Sequence, residues 1–129
     1  MIYVVGEKQG TGGTRRRLAA LLGVSVDEMM DAVVWINLWE YPGTRPERYV
    51  ELIEDGARPR DAIILLGRRV ARAFRLGDLR ALGTVSRNAG HGPVIIALPH
   101  PSGLNRWWND PDRLDDALIA LRALWGTHR

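Results

Sequence analysis

A histidine between two prolines is the residue of this sequence that is best placed to do chemistry. His100 lies between Pro99 and Pro101, just after the apolar run Val94–Leu98 and ahead of a polar loop. A short apolar run ended by proline predicts a buried strand, and open α/β sheets bind ligands at the carboxyl ends of such strands. Each proline fixes its own φ angle. We therefore expect a stiffly held imidazole at a ligand-binding edge.

A glycine-rich loop follows the first apolar run of the chain. Residues 2–5 are apolar, and the loop after them contains Gly6, Glu7 and Gly10 before a helical pattern begins. Such a loop can bind phosphate or another anion through backbone N–H groups, although it can equally be a tight turn. It matches neither the Walker A pattern nor the dinucleotide-binding G-x-G-x-x-G pattern.

Apolar runs at four places in the chain predict buried strands. They cover residues 2–5, 33–38, 62–66 and 94–98. Apolar periodicity and capping residues predict helices between and after these runs. The helices cover residues 15–22, 25–32, 46–55, 68–76 and 110–125. Residues 77–93 show no sustained pattern and are predicted to be irregular.

Single residues set the expected limits and faces of these helices. Thr14 is the predicted N-cap of the first helix. In the fourth helix the arginines are expected to point outward, and in the last helix a leucine stripe is expected to face the core. That stripe consists of Leu114, Leu118, Leu121 and Leu124.

The alternation of strands and helices predicts a parallel sheet with helices on both faces and right-handed crossovers. The predicted fold class is α/β, a three-layer α/β/α arrangement around a central four-stranded parallel sheet with the strand order 2-1-3-4. The length of 129 residues fits a single domain that spans residues 1–129.

The composition is typical of a globular protein, and the sequence predicts no membrane-spanning segment. Hydrophobic residues make up 46% of the chain and charged residues 26%, and no apolar run approaches the length of a membrane span. The chain has no cysteine, which excludes disulfides and cysteine-ligated metal centres. We expect a cytoplasmic monomer without a cofactor. Lys8 is the only lysine among 18 basic residues, and the arginines suit phosphate contacts or reflect a compositional bias.

Four loops meet at one edge if the sheet is parallel, because all strands then end on the same side. These loops begin at Gly6, Asn37, Gly67 and His100. Their motifs, in this order, resemble the uracil-DNA glycosylase superfamily, and especially its compact class that carries an iron–sulfur cluster. The matching segments are Gly-Glu-Lys-Gln-Gly at residues 6–10, Ile-Asn-Leu at 36–38, Tyr-Pro-Gly-Thr-Arg-Pro at 41–46, the strand ending in Leu-Gly-Arg at 63–68, and His-Pro-Ser-Gly-Leu at 100–104.

The sequence departs from this family at three points. Lys8 and Gln9 replace the small or acidic residue and the proline of the first motif. No cysteine is present to hold the iron–sulfur cluster. Residues 11–17 lack the aromatic residue that stacks on the extruded base in the family, and Trp39 or Trp107 are the candidates to replace it.

The resemblance implies a role for each matching residue. His100 and Glu7 are the expected catalytic residues: the histidine donates to the departing base, and the carboxylate positions water or stabilises the sugar cation. The other implied contacts fall in two groups. The base-binding group consists of Asn37, Gly6 and Gly10, and the DNA-binding group consists of Ser102, Leu104 and Arg106.

The resemblance implies an enzyme, a monofunctional glycosylase that removes uracil or a modified or deaminated base from DNA. Two alternatives stay open because the first motif is altered and the chain is short. One is a catalytically silent member of the fold that binds nucleobases or DNA. The other is an N-glycoside hydrolase that acts on free nucleotides. The sequence does not specify which base or nucleotide is bound.

Overall fold

The fold is that of a computed structural model, which describes residues 1–8, 12–40, 43, 45–75, 85–87, 92–101 and 106–129. Its five strands form one sheet. They are β1 (Ile2–Gly6), β2 (Val33–Asn37), β3 (Ala62–Leu66), β4 (Val85–Arg87) and β5 (Val94–Leu98). The strand order is β2-β1-β3-β5-β4.

The four long strands confirm the predicted sheet. β1 pairs in parallel with β2 and with β3, and β3 pairs in parallel with β5. The four apolar runs therefore lie side by side in the predicted order 2-1-3-4. β3 is at the centre of the sheet and every one of its five residues is buried, as its unbroken apolar sequence requires.

One strand lies within the segment that was predicted to be irregular. β4 has three residues and pairs antiparallel with β5 at the sheet edge, with Ser86 opposite Ile95. The prediction was wrong here because three residues are too few to show an alternating pattern. The short strand covers the outer edge of β5, which would otherwise offer unpaired backbone groups.

Five α-helices of the described part of the chain accompany the sheet. They are α1 (Gly13–Leu22), α2 (Val26–Ala32), α3 (Pro46–Gly56), α4 (Arg68–Ala73) and α5 (Pro111–His128). A 3-10 turn, Arg106–Asn109, precedes α5. Within the described residues, no helix combines the length and the apolarity that crossing a membrane requires.

Several helix ends differ from the predicted ones, and α5 runs to His128 instead of residue 125. The N-cap of α1 is Gly12 in the left-handed conformation, not Thr14, because glycine adopts a positive φ without a steric penalty. The helix α4 ends at Ala73, since Arg75 has a φ of 58° and cannot continue the helix. Its three arginines and Arg75 just after it are exposed, as expected.

The helices form two layers, one on each face of the sheet, which confirms the three-layer fold. α1, α2 and α5 pack on one face against Ile2, Val4, Ile64 and Leu98. α3 and α4 pack on the other face against a second cluster. That cluster contains the strand residues Val5, Ile63, Leu65 and Ala97.

The buried stripe of α5 is rotated from the predicted leucine stripe. Leu121 and Leu124 are buried as expected, but Leu114 and Leu118 are only half-buried. Ala117 and Trp125 are buried in addition. Both belong to the hydrophobic cluster that α5 shares with α1, α2 and one face of the sheet.

A buried carboxylate fixes the amino-terminal end of the sheet. Asp61 is 5% exposed and precedes β3. It accepts hydrogen bonds from the ammonium group of Met1 at 3.1 Å and from the backbone N–H of Arg58 at 2.8 Å. Burial raises the pKa of Asp61, but these hydrogen bonds and the charge of Met1 outweigh burial and hold the pKa below its ordinary value.

We expect Asp61→Asn to lower the free energy of unfolding by about 1.5–3 kcal/mol at neutral pH, the usual size for a charge-assisted hydrogen bond. A carboxylate with a depressed pKa contributes fully above its unfolded-state pKa, and this contribution is lost as the pH falls through the folded-state pKa. Urea unfolding of both proteins from pH 7 to pH 2 should therefore show their difference shrinking in acid. Asp55→Asn, at an exposed position on α3, is the control and should show no such difference.

Candidate functional site

The carboxyl ends of the parallel strands bring distant residues to one edge of the sheet. The register places Gly6 opposite Asn37 and Leu66 opposite Leu98. The pairing of β1 and β2 continues past the strands, since the backbone N–H of Trp39 donates to the carbonyl of Glu7 at 2.7 Å. The loops after β1 and β2 are thereby held in fixed relation to each other.

His100 is held from both sides at the end of β5. Pro99 and Pro101 are buried, whereas His100 between them is half-buried. The indole N–H of Trp108 donates to the backbone carbonyl of His100 at 3.2 Å, and Trp108 itself is buried in the core. The imidazole therefore projects from a backbone that is anchored by two rings and one hydrogen bond.

Glu7 and His100 approach each other across Gly67. A Cβ atom at Gly67 would lie 3.5 Å from Oε1 of Glu7 and 3.7 Å from Cβ of His100. Gly67 has a φ of 96°, which side-chain-bearing residues rarely adopt. The start of α4 thus passes directly beneath the two residues that were predicted to be catalytic.

Asn37 has a hydrogen-bond partner on each atom of its amide. The indole N–H of Trp35 donates to Oδ1 of Asn37 at 3.0 Å. Nδ2 of Asn37 donates to Oε2 of Glu40, also at 3.0 Å. A Cβ atom at Gly6 would lie only 2.8 Å from Oδ1 of Asn37, so this arrangement requires glycine at the end of β1.

These side chains line one cleft, which has a cavity volume of about 50 Å³. It opens between the end of the sheet and the N-terminus of α1. Its walls are formed by Gly6, Glu7, Lys8, Gly12, Thr14, Arg15, Trp35, Asn37 and His100. Polar groups from β1, β2 and β5 therefore converge on the same small space.

Positive charge predominates around this cleft. Lys8 and Arg15 contribute full charges. The N-terminus of α1 adds a partial positive charge, because the first N–H groups of a helix have no partner within the helix. The N-cap, Gly12, has no side chain to satisfy them. Glu7 is the only carboxylate among the described residues that line the cleft, so the cleft favours a ligand that carries or develops negative charge.

Four of the predicted site residues meet in the cleft. They are Gly6, Glu7, Asn37 and His100. Arg106 is exposed in the 3-10 turn before α5 and is not among the lining residues. Gly10, Ser102 and Leu104 lie outside the described residues.

Among the described residues, Trp35 is the aromatic residue that lines the cleft, and it was not predicted from the sequence. The guanidinium of Arg15 lies 5.4 Å from the centre of its ring. The two tryptophans that were considered instead have other contacts: Arg69 lies 3.9 Å over the ring of Trp39, and Trp107 packs edge-to-face against Trp108. Alternation along β2 could have revealed Trp35, because residues two apart lie on the same face of a strand.

Glu40 is a second residue whose contribution was missed. It follows Asn37 by three residues in the sequence, and no role was predicted for it. Its contact with Asn37 depends on the turn that follows β2, and hydrophobic patterning carries no information about the geometry of that turn.

The residues of the chain do not fit an iron–sulfur cluster of the kind held by cysteines, since the sequence contains none. The chemistry available in the cleft is that of a histidine, a carboxylate, an amide and nearby positive charges. This set can stabilise a negative charge on one side of a bond and a positive charge on the other.

Comparison with known proteins gives one family. The model of the uracil DNA glycosylase superfamily matches residues 48–122, which is more than half of the chain. The match covers the segment from α3 to most of α5 and includes His100. No curated protein matches the sequence.

Proposed function

The chain belongs to the uracil-DNA glycosylase superfamily, and on this basis we propose that it hydrolyses the N-glycosidic bond of uracil, or of another modified or deaminated base, in DNA. The observation that carries the proposal is the shared cleft of Glu7, Asn37 and His100. These three residues come from three different strand ends. No single local motif would bring them together.

The reaction separates charge. The bond between C1′ of the sugar and the ring nitrogen of the base breaks, and its electron pair leaves with the base. The sugar becomes cation-like and the base anionic. Water then forms a new bond to C1′ and loses a proton. An enzyme accelerates this step by holding fixed charges and hydrogen-bond donors where the new charges develop.

His100 and the positive charges of the cleft act on the departing base. A ring N–H of His100 donates to a carbonyl oxygen of the base, and that hydrogen bond strengthens as the base becomes anionic. Lys8, Arg15 and the N-terminus of α1 favour the same anion through longer-range electrostatics. The stiff backbone around His100 means that little reorganisation is needed during the reaction.

Glu7 acts on the sugar side of the bond. Its carboxylate stabilises the developing sugar cation and orients the attacking water, whose proton it accepts. One carboxylate of a glycosidase has the same tasks. Glu7 and His100 both line the cleft and both approach Gly67, which supports placing their side chains close to the same bond.

Asn37 and Trp35 receive the base. The amide of Asn37 has both donors and acceptors and can match the hydrogen-bonding edge of a pyrimidine. Trp35 provides an aromatic wall next to it. A base reaches this position only after extrusion from the DNA stack, and Leu104 is proposed to fill the vacated space while Ser102 and Arg106 hold phosphates.

The direct test is release of bases from DNA. The purified protein is incubated with oligonucleotides of one sequence that contain uracil, hypoxanthine, a modified pyrimidine or only ordinary bases, and with free nucleotides. Abasic sites and released bases are both measured. We expect abasic sites at uracil or at one of the modified bases and none in ordinary DNA.

The other possible results distinguish the alternatives. Release of base from free nucleotides but not from DNA would make the protein a nucleotide N-glycoside hydrolase. Binding of damaged DNA or of a free base without any release would make it a catalytically silent member of the fold.

Binding to DNA should depend steeply on salt, because contacts to phosphates release counterions. We expect Arg106→Ala to weaken binding equally for all base identities and to reduce the slope of log K against log salt by about one. Arg60→Ala is the matched control, since Arg60 is an exposed arginine just before β3. It lies at the amino-terminal ends of the parallel strands, away from the cleft at their carboxyl ends. Fluorescence anisotropy at several salt concentrations measures both effects. An equal change in both variants would argue against a DNA contact at Arg106.

A further inference from the structure

The amide of Asn37 can take only one of its two orientations. An indole N–H only donates a hydrogen bond, and an ionised carboxylate only accepts. Trp35 therefore requires the oxygen of the amide on its side, and Glu40 requires the nitrogen on the other side. A half-turn of the amide would place two donors together at Trp35 and two acceptors together at Glu40. Both hydrogen bonds would be lost and both contacts would become repulsive.

The position of Gly6 adds a steric constraint to the two hydrogen bonds, and together the three contacts lock the orientation of the Asn37 amide. The space above the last residue of β1 is filled by Oδ1 of Asn37, as the 2.8 Å approach to a hypothetical Cβ atom demonstrates. The oxygen is therefore enclosed by the backbone at Gly6 on one side and by the indole of Trp35 on another. The orientation of the amide is set by three neighbours before any ligand arrives.

The locked amide still has capacity for a ligand. A carbonyl oxygen has two lone pairs and an amide nitrogen two hydrogens, and Trp35 and Glu40 use one of each. One acceptor position on Oδ1 and one donor position on Nδ2 remain, and the two hydrogen bonds fix their order. They match a base edge that presents a ring N–H next to a carbonyl, as uracil and thymine do. Cytosine presents the reverse order, a ring acceptor next to an amino group. It could pair only with an Asn37 amide whose oxygen and nitrogen had exchanged places.

We propose that Trp35 and Glu40 are positioning residues that make Asn37 selective for bases with a ring N–H beside a carbonyl and exclude cytosine. The inference rests on the proposed function, since it assumes that a base enters the cleft. A freely turning amide would bind either edge. A locked amide leaves the polar groups of cytosine unpaired, which costs far more than the loss of an apolar contact. The protection of cytosine in DNA then depends on two side chains that do not touch the base edge.

The test uses two conservative substitutions. Trp35→Phe keeps a ring in the cleft wall but removes the N–H. Glu40→Gln keeps the shape, and because its amide can donate or accept, it no longer dictates the orientation of Asn37. The matched controls are Trp39→Phe, a tryptophan whose ring contacts Arg69, and Glu47→Gln, an exposed glutamate in the first turn of α3.

Two readouts are measured for each variant: kcat/KM for release of uracil and cytosine from otherwise identical oligonucleotides, and the affinity for free uracil and free cytosine by NMR titration. We expect the preference for uracil over cytosine to fall about tenfold in each single variant, the size of one hydrogen bond. It should fall further in the double variant. The loss of uracil activity should be smaller than the loss of preference, and the controls should retain both.

The outcomes separate this inference from the proposed function. If the wild-type protein releases uracil and the double variant keeps its full preference for uracil over cytosine, the positioning role of Trp35 and Glu40 is wrong. The proposed glycosylase function is then unaffected. If the wild type releases no base but prefers free uracil, and the double variant loses that preference, the lock stands without the catalysis. If the wild type binds neither base, both are wrong.

Discussion

Replacing His100 by alanine is expected to lower the rate of base release by about two to three orders of magnitude, the usual cost of removing one donor from a preorganised anion site. The affinity for substrate DNA should change far less, because the hydrogen bond to the base gains most of its strength only as the bond breaks. Single-turnover rates and dissociation constants on the same uracil-containing oligonucleotide measure the two effects separately.

His128→Ala is the control for this experiment. His128 is at the end of α5, where its ring Nδ1 lies 2.8 Å from the backbone carbonyl of Arg60, and it is not among the residues that line the cleft. Its removal should leave the rate of base release unchanged. If His100→Ala weakened binding and catalysis equally, His100 would be a binding residue and not an electrostatic catalyst.

Gly6→Ala should lower base release by about a hundredfold while the protein stays folded. The added Cβ atom would lie 2.8 Å from Oδ1 of Asn37, so the amide must move and its hydrogen bond with Trp35 must lengthen or break. Displacements on the order of 1 Å in a reacting site cost about this factor. Circular dichroism and thermal unfolding establish that the fold is kept, and single-turnover assays measure the rate.

Gly126→Ala provides the comparison. Gly126 lies inside α5, and a Cβ atom there would meet nothing within 4 Å. The substitution should stabilise the protein by up to about 1 kcal/mol, because alanine favours the helix over glycine, and activity should be unaffected. Full activity in Gly6→Ala would mean that the position of the Asn37 amide does not matter to the reaction.

The sheet could be predicted from the sequence because each of its four long strands corresponds to a separate apolar run. The five residues of β3 and of β5 are all apolar, and a parallel arrangement then places Asn37 and His100 at the same edge without further information. β4 could not be found in this way. The end of α4 was also beyond prediction, because Arg75 takes up a left-handed conformation that its residue type does not favour.

The site was predictable where it depends on strand ends and not where it depends on side-chain hydrogen bonds. Asn37 and His100 follow apolar runs directly. Alternation along β2 places Trp35 on the same face as Asn37, but nothing in its residue type reveals that its indole donates to the amide two residues later. Glu40 lies in a turn whose shape is set by the pairing of Trp39 with Glu7, a contact between residues far apart in the sequence.

The two halves of the cleft differ in how firmly the sheet holds them. Among the described strands, β2, which carries Trp35 and Asn37, is an edge strand with β1 as its one neighbour, whereas β5, which leads to His100, is flanked by β3 and β4. Outer strands open by local fluctuation more readily than inner ones. We therefore expect amide hydrogens of β2 to exchange before those of β5. On warming, the preference for one base should therefore fall at a lower temperature than the rate of bond cleavage. Loss of specificity would then set the upper working temperature of such an enzyme.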